Sequence, residues 1–234
     1  MFFIGNSHCD GQERLVAAML PKGNDSVFEP KAIELRVDLV LRMLGYSDLD
    51  RVRPVVRSIT ESVTERVKQA VKPVVSFKRM AIESCVDGAL VVDAGVILNC
   101  RAFEKYLTGC DEVVAFFLTL GKSIDEVEAE YAAKDQLLEM LVLETAGWLG
   151  IEQATKQLAI HLREIVSVDG RRLSRRMAPG YGYKIGSKKC EWLLEEQRVL
   201  FELFDQQKLP VQLLSSCAMV PKMSRSGLYG LRPS

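Results

Sequence analysis

Histidine is nearly absent from this 234-residue chain: His8 and His161 are the two present, and no two cysteines stand in Cys-x-x-Cys spacing. A His-rich zinc site or a Ser-His-Asp triad therefore has almost no material to work with. A surplus of charge of either sign is missing as well. With 31 Lys and Arg against 31 Asp and Glu, nothing in the overall balance would hold nucleic acid or an anionic membrane. Long apolar runs are lacking too; the run at 113–120 falls far short of the roughly 18 residues that a spanning helix needs. Met1-Phe2-Phe3-Ile4-Gly5 has neither the basic region nor the full apolar region of a secretory leader. The six cysteines, Cys9, Cys85, Cys100, Cys110, Cys190 and Cys217, are scattered through a chain large enough to fold without staples, which reads as reduced thiols in a cytoplasmic protein.

What is present is ordinary globular material, 48% hydrophobic and 26% charged, arranged with clear periodicity. After Pro30, the residues Ile33, Val37, Val40, Leu41 and Leu44 recur at helical spacing up to Gly45. Pro54 opens a second helix with an i, i+4 series through Val55, Ile59, Val63, Val67 and Val71. Between 74 and 99 the period falls towards two, with turns at Asp87-Gly88 and Asp93-Ala94-Gly95, which predicts short antiparallel strands. A short helix at 102–107 and a buried strand at 113–120 follow. Ser123-Ile124-Asp125-Glu126 has the form of a capping box at a helix start. A long helix is expected over 135–165, with Gly147 and Gly150 allowing close packing or a break. Residues 171–189 read as a polar, Gly-rich loop, 191–204 as helix, and 211–220 and 228–231 as strands. The expected architecture is α+β, an antiparallel twisted sheet flanked by helices. Residues 1–30 form an N-terminal lead and 31–234 a single domain.

Charge is balanced overall but segregated locally. Residues 165–190 hold seven bases against Asp169, and residues 111–144 hold nine acids against Lys122 and Lys134. Solvated faces of opposite sign are one reading of this. The other rests on the company the arginines keep in Arg172-Leu173-Ser174-Arg175-Arg176-Met177-Ala178-Pro179-Gly180-Tyr181-Gly182-Tyr183. A guanidinium fork beside a proline-set, glycine-freed backbone and two tyrosine rings can clamp a carboxylate, bring amides close to a ligand and stack on a heterocycle.

Arg176-x-Ala178-Pro179-Gly180-Tyr181 resembles the Arg-x-x-Pro-Gly-Tyr signature of the activation domain of cobalamin-dependent methionine synthase, the module that binds S-adenosylmethionine. The resemblance continues through Glu196-Gln197-Arg198-Val199-Leu200-Phe201, Ser215-Ser216-Cys217-Ala218-Met219-Val220-Pro221 and Ser226-Gly227-Leu228-Tyr229. Leu39-Val40-Leu41-Arg42-Met43-Leu44-Gly45-Tyr46 and Phe117-Leu118-Thr119-Leu120-Gly121 are similar to weaker landmarks of free-standing relatives. The resemblance implies that Arg176 pairs with the ligand carboxylate, that backbone around Ala178 contacts the ligand, that Pro179, Gly180 and Tyr181 belong to the same S-adenosylmethionine-binding set, and that Tyr229 lines the site. A core-facing strand aromatic is the other reading of Tyr229. For the acid that would hold the ligand amino group, Asp38, Asp87 and Asp93 stay open.

Neither histidine lies in an Asp-x-His-x-x-Gly corrinoid motif, so the resemblance implies cobalamin on a partner chain, a corrinoid-carrying methionine synthase or methyltransferase. It also implies an outside electron donor such as a flavodoxin, and no catalytic side chain or metal in this chain. Gly121-Lys122-Ser123 lacks the earlier glycine of a P-loop, whose place holds Phe116, and Gly180-x-Gly182 lacks the third glycine of a dinucleotide fingerprint, whose place holds Ile185. Cys190 beside Lys188 and Lys189 reads as an inert thiol at a helix start or as one with a lowered pKa. The expected function is accessory: binding S-adenosylmethionine and supporting reductive remethylation of the partner's corrinoid. A scaffold or small-molecule-binding protein that keeps the fold without this ligand is the alternative.

Overall fold

A computed structural model describes residues 22–234; His8, Cys9 and the opening segment lie outside them. Strand β1 (Asp25–Phe28) leads into α1 (Val37–Met43), α2 (Pro54–Ala70) and strands β2 (Val74–Val86), β3 (Ala89–Val92) and β4 (Val96–Asn99). Next come α3 (Phe103–Tyr106), β5 (Glu112–Thr119), α4 (Ser123–Ala132) and α5 (Leu137–Val168). The chain closes with β6 (Arg171–Leu173), β7 (Tyr181–Ile185), β8 (Lys188–Trp192), α6 (Gln197–Glu202), β9 (Gln212–Leu213), β10 (Met219–Val220) and β11 (Ser224–Pro233).

The main sheet is antiparallel throughout its pairings and runs β4-β3-β2-β5-β11-β6, with β1 also pairing β2. Residues 25–28, expected within a lead, thus belong to the sheet. All eight residues of β5 are buried, which is why its apolar run shows no alternation. Val114, Phe116 and Leu118 face a core shared with α2, α4 and α5, while Val113, Ala115 and Phe117 face a second core with Trp192, Phe201 and Phe204. The expected α+β architecture, an antiparallel sheet with helices against it, is the one observed.

Local chemistry explains where the expected elements form and where they shift. Asp87 and Gly88 take φ of +54° and +80°, the left-handed pair that a two-residue hairpin between β2 and β3 demands. In α5, a Cβ on Gly150 would lie 2.8 Å from Leu120, so the glycine lets this helix sit close on the sheet. The helix expected from Pro30 starts only at Val37. Before it, Ile33 and Leu35 are buried at period two in extended chain, whose amides at Lys31 and Glu34 donate to Gln157 Oε1 (2.7 Å) and Gln153 Oε1 (3.0 Å) of α5. The α2 face is rotated from the expected stripe: Val56, Thr60, Val63 and Val67 are buried, and Val55 is exposed. The Thr60 hydroxyl is accommodated by donating to Val56 O at 2.8 Å.

The capping box at Ser123 is not formed. Ser123 is the first helical residue, Lys122 precedes it as the cap, and no side chain caps the amides. Residues 171–189 are not one loop: β6 joins the sheet edge, and β7 and β8 form a separate hairpin turned at Gly186, φ +59°. The helix expected over 191–204 begins as the end of β8, and α6 occupies only its middle. The strand expected over 211–220 is a small hairpin of β9 and β10.

Candidate functional site

The segment after β6 is drawn along β11 by backbone pairing. Ser174 N donates to Gly230 O at 2.8 Å, and Met177 and Leu228 exchange both of their backbone hydrogen bonds at 2.9 and 2.8 Å. This approach requires Gly227, because a Cβ there would sit 2.5 Å from Met177 O and 3.2 Å from the Phe116 ring. Met177 then enters the second core beside Leu228. The chain next turns at Pro179-Gly180, where Gly180 adopts φ +77° and its amide donates to Trp192 O at 2.7 Å. Trp192 is fully buried with its ring edge-on to Phe103, so the turn hangs on a rigid post.

Tyr183 is a second fixing point. Its buried hydroxyl accepts from Ala178 N at 2.7 Å and donates to Ala178 O at 3.1 Å. Burial raises the phenol above its ordinary pKa and keeps it a donor.

Beside this turn lies a cleft of about 450 Å³. Ala178, Pro179 and Tyr181 form one wall, and Glu144, Trp148 and Ile151 of α5 another. Lys222, Met223, Arg225 and Ser226 lie along its sheet side, with Gln197 and Cys217 closing it. Cys217 holds a left-handed φ of +64°, its carbonyl accepting from Gln197 Nε2 at 2.9 Å, while Gln197 Oε1 accepts from Ser226 at 2.8 Å.

Of the expected residues, Ala178, Pro179 and Tyr181 line the cleft. Arg176 stands behind Tyr181, its guanidinium carbon 5.3 Å from the ring centre, and its buried Nη1 has no hydrogen-bond partner. Tyr229 is buried in the helix-side core, stacked on Phe116, and burial raises its phenol pKa while Arg176 opposes the rise. Gly180 supplies the turn. Arg172 and Arg175 are exposed.

The three candidate acids lie elsewhere: Asp38 pairs with Arg57 at 3.6 Å, Asp87 makes the hairpin turn, and Asp93 accepts Ala81 N at 2.9 Å. The cleft instead carries Glu144, bonded to Lys222, and Arg225, whose buried guanidinium meets Thr155 at 3.1 Å and Glu152 at 2.7 Å. No spacing in the sequence marks Arg225 or Lys222 as site residues, and Trp148 reads there as part of the apolar face of α5. Cys190 stands within β8 opposite Tyr183 rather than at a helix start.

Among the described residues no group of three or more His, Cys, Asp and Glu is placed to hold a metal ion, and no helix is long and apolar enough to cross a membrane. His161 stacks on Phe28 with centroids 4.2 Å apart, a packing role away from the cleft.

No protein-family model matches the chain, and no curated protein matches it. Among solved structures it is similar to the MetH reactivation domain bound to AdoHcy, with a TM-score of 0.60 and 13% identity over 92% of this chain and 81% of that one. The protein therefore has the methionine synthase activation-domain fold.

Proposed function

We propose that the cleft binds S-adenosylmethionine and that the protein presents its methyl group to a corrinoid held by a partner methionine synthase or methyltransferase. The observation that carries this reading is Arg176: a buried guanidinium nitrogen with no partner, set behind a cleft wall. Burying a donor of a charged group without an acceptor costs free energy, which an incoming carboxylate would recover in a charge-assisted bond. Ala178, in the cleft wall, offers a carbonyl with a second lone pair for a ligand donor.

The likeness to a domain that holds AdoHcy supports the same ligand class. Transfer from a sulfonium needs no side-chain base, because the carbon–sulfur electron pair stays on sulfur as the thioether leaves; holding the methyl group towards its acceptor suffices. The corrinoid supplies the nucleophile when reduced by an outside electron donor of the flavodoxin kind. The exposed Lys184, Lys188 and Lys189 of the β7–β8 hairpin suit an acidic donor surface. This reading sets the protein in the cytoplasm, and the five described cysteines, all free, fit a reducing compartment.

A scaffold that keeps the fold without this ligand is favoured by one observation, the engagement of Asp38 and Asp93 elsewhere. Calorimetry with S-adenosylmethionine on the purified protein separates the two, since a scaffold gives no heat at millimolar ligand. The accessory role is then tested by following the cobalt spectrum of candidate corrinoid proteins with S-adenosylmethionine and reductant. Return to the methyl form should need this protein and slow as salt rises, and turnover of a small substrate without a partner would replace the reading with a free-standing enzyme.

A further inference from the structure

We propose that the indole face of Trp148 holds the methyl sulfonium, which makes Trp148 the residue that tells S-adenosylmethionine from its demethylated product. The inference rests on the reading above that this cleft takes S-adenosylmethionine.

A sulfonium carries a full positive charge but no N–H or O–H, so hydrogen-bond acceptors do not recognise it in the way they recognise an ammonium. Its charge is spread over the attached methyl and methylene groups, which suits the electron-rich face of an aromatic ring, best of all indole. The cleft has two aromatic walls. Tyr181 already carries the Arg176 guanidinium on its ring and cannot take a second cation on that face. Trp148 lines the cleft with half of its surface exposed, and among the described residues no aromatic ring or cationic group stacks on it.

The ion pairs on the remaining walls favour the helix side. Lys222 is shared between Glu144, one turn before Trp148 on α5, and Glu128, which leaves negative charge in excess beside the indole, whereas the Arg225 guanidinium on the sheet side is matched by Glu152. A sulfonium on Trp148 faces the wall formed by Ala178, Pro179 and Tyr181, so the ligand would lie between α5 and the arginine-rich turn.

The test is calorimetry of the wild type, Trp148→Leu and Trp148→Phe with S-adenosylmethionine and, separately, S-adenosylhomocysteine. Thermal melts of all three proteins check the fold, which a half-exposed side chain should leave intact. Trp148→Leu keeps apolar bulk and loses the ring, so it should weaken S-adenosylmethionine about tenfold while changing the neutral thioether less than about twofold; Trp148→Phe should retain most of the preference. Equal weakening of both ligands would mean that the indole stacks on adenine, and no change in either would mean that it faces only an outside partner. Each overturns this inference while leaving the parent reading standing. A wild type that binds neither ligand overturns the parent reading, and the inference with it.

Discussion

Arg79 and Arg176 both place guanidinium nitrogens out of solvent, and they dispose of their charge in opposite ways. Arg79 is 3% exposed; its Nε donates to Glu112 at 2.7 Å and its Nη1 to Asp169 at 2.6 Å. Arg171 extends the network to Asp111, at 2.9 Å, and holds that carboxyl below its usual pKa. Arg176 has a tyrosine ring and an unpartnered nitrogen. A closed network is finished when the chain folds and fixes the sheet to the end of α5. An open one leaves part of its stabilisation to be gained from something that is not this chain.

The strongest way to break that contrast is to remove each arginine in turn. Arg79→Ala leaves the nearly buried Asp169 without a cation and Glu112 with Lys22 and the more distant Arg171 alone, and should cost about 3–5 kcal/mol of stability, read from the urea midpoint. A loss under about 1 kcal/mol would show that the network is ornamental.

Arg176→Ala should behave in reverse. S-adenosylmethionine binding should weaken by about 2–4 kcal/mol in calorimetry, with the urea midpoint nearly unmoved, because no internal hydrogen bond is lost and an exposed ring contact such as that with Tyr181 is worth about 1 kcal/mol at most. Arg171→Ala at the same salt is the control, lowering stability by under about 1 kcal/mol and leaving binding alone. Equal effects of the two on binding would mean that diffuse charge, and not the geometry at the turn, attracts the ligand.

Tyr183→Phe sharpens the comparison at the level of one hydroxyl. It frees both polar groups of Ala178 inside a packed turn, and about 1 kcal/mol of stability should go with it. A crystal structure of the variant should show the Pro179 turn displaced; an unmoved turn would remove Tyr183 from the positioning of the cleft.

The smallest effect concerns His161, which handles burial in a third way, by staying neutral. Burial lowers its pKa below the ordinary 6.5. As pH falls the unfolded chain takes up the proton first, so the stability present above about pH 6.5 is lost as pH drops through the folded value. His161→Phe should flatten that part of a melting-temperature profile, and an unchanged slope would assign it to other groups.

Much of this was legible in residue order, for reasons that differ from place to place. The hairpin at Asp87-Gly88 and the doubly buried β5 follow from local rules, since backbone sterics and an unbroken apolar run mean the same thing in almost any context. The β7–β8 hairpin escaped because its lysines fill the exposed positions while Tyr183 and Trp192 are buried by distant partners. Leu193 and Leu194 misled the helix reading from the other side, being exposed on the surface. The arginine-rich turn announced its chemistry through residue types. That Arg176 Nη1 lacks a partner while Arg79 has two is a fact about neighbours far apart in the chain, and no spacing encodes it. Trp148 illustrates the same limit: helical periodicity marks it as apolar, and only the packing of α5 tells which apolar residues are left uncovered.

The outer strands of the main sheet have a colloidal consequence. β1 and β4 are four residues long each and β6 three, and β6 reads Arg-Arg-Leu. Such flanks give another molecule little backbone to extend, and two copies meeting at β6 bring like charges together. Strand-to-strand polymerisation is therefore discouraged at both ends of the sheet. If crowded solutions of this protein self-associate, the sticky surface is the uncovered apolar stretch of α5 around Leu137, Leu141 and Trp148, and filling or covering it should be what keeps the solution clear.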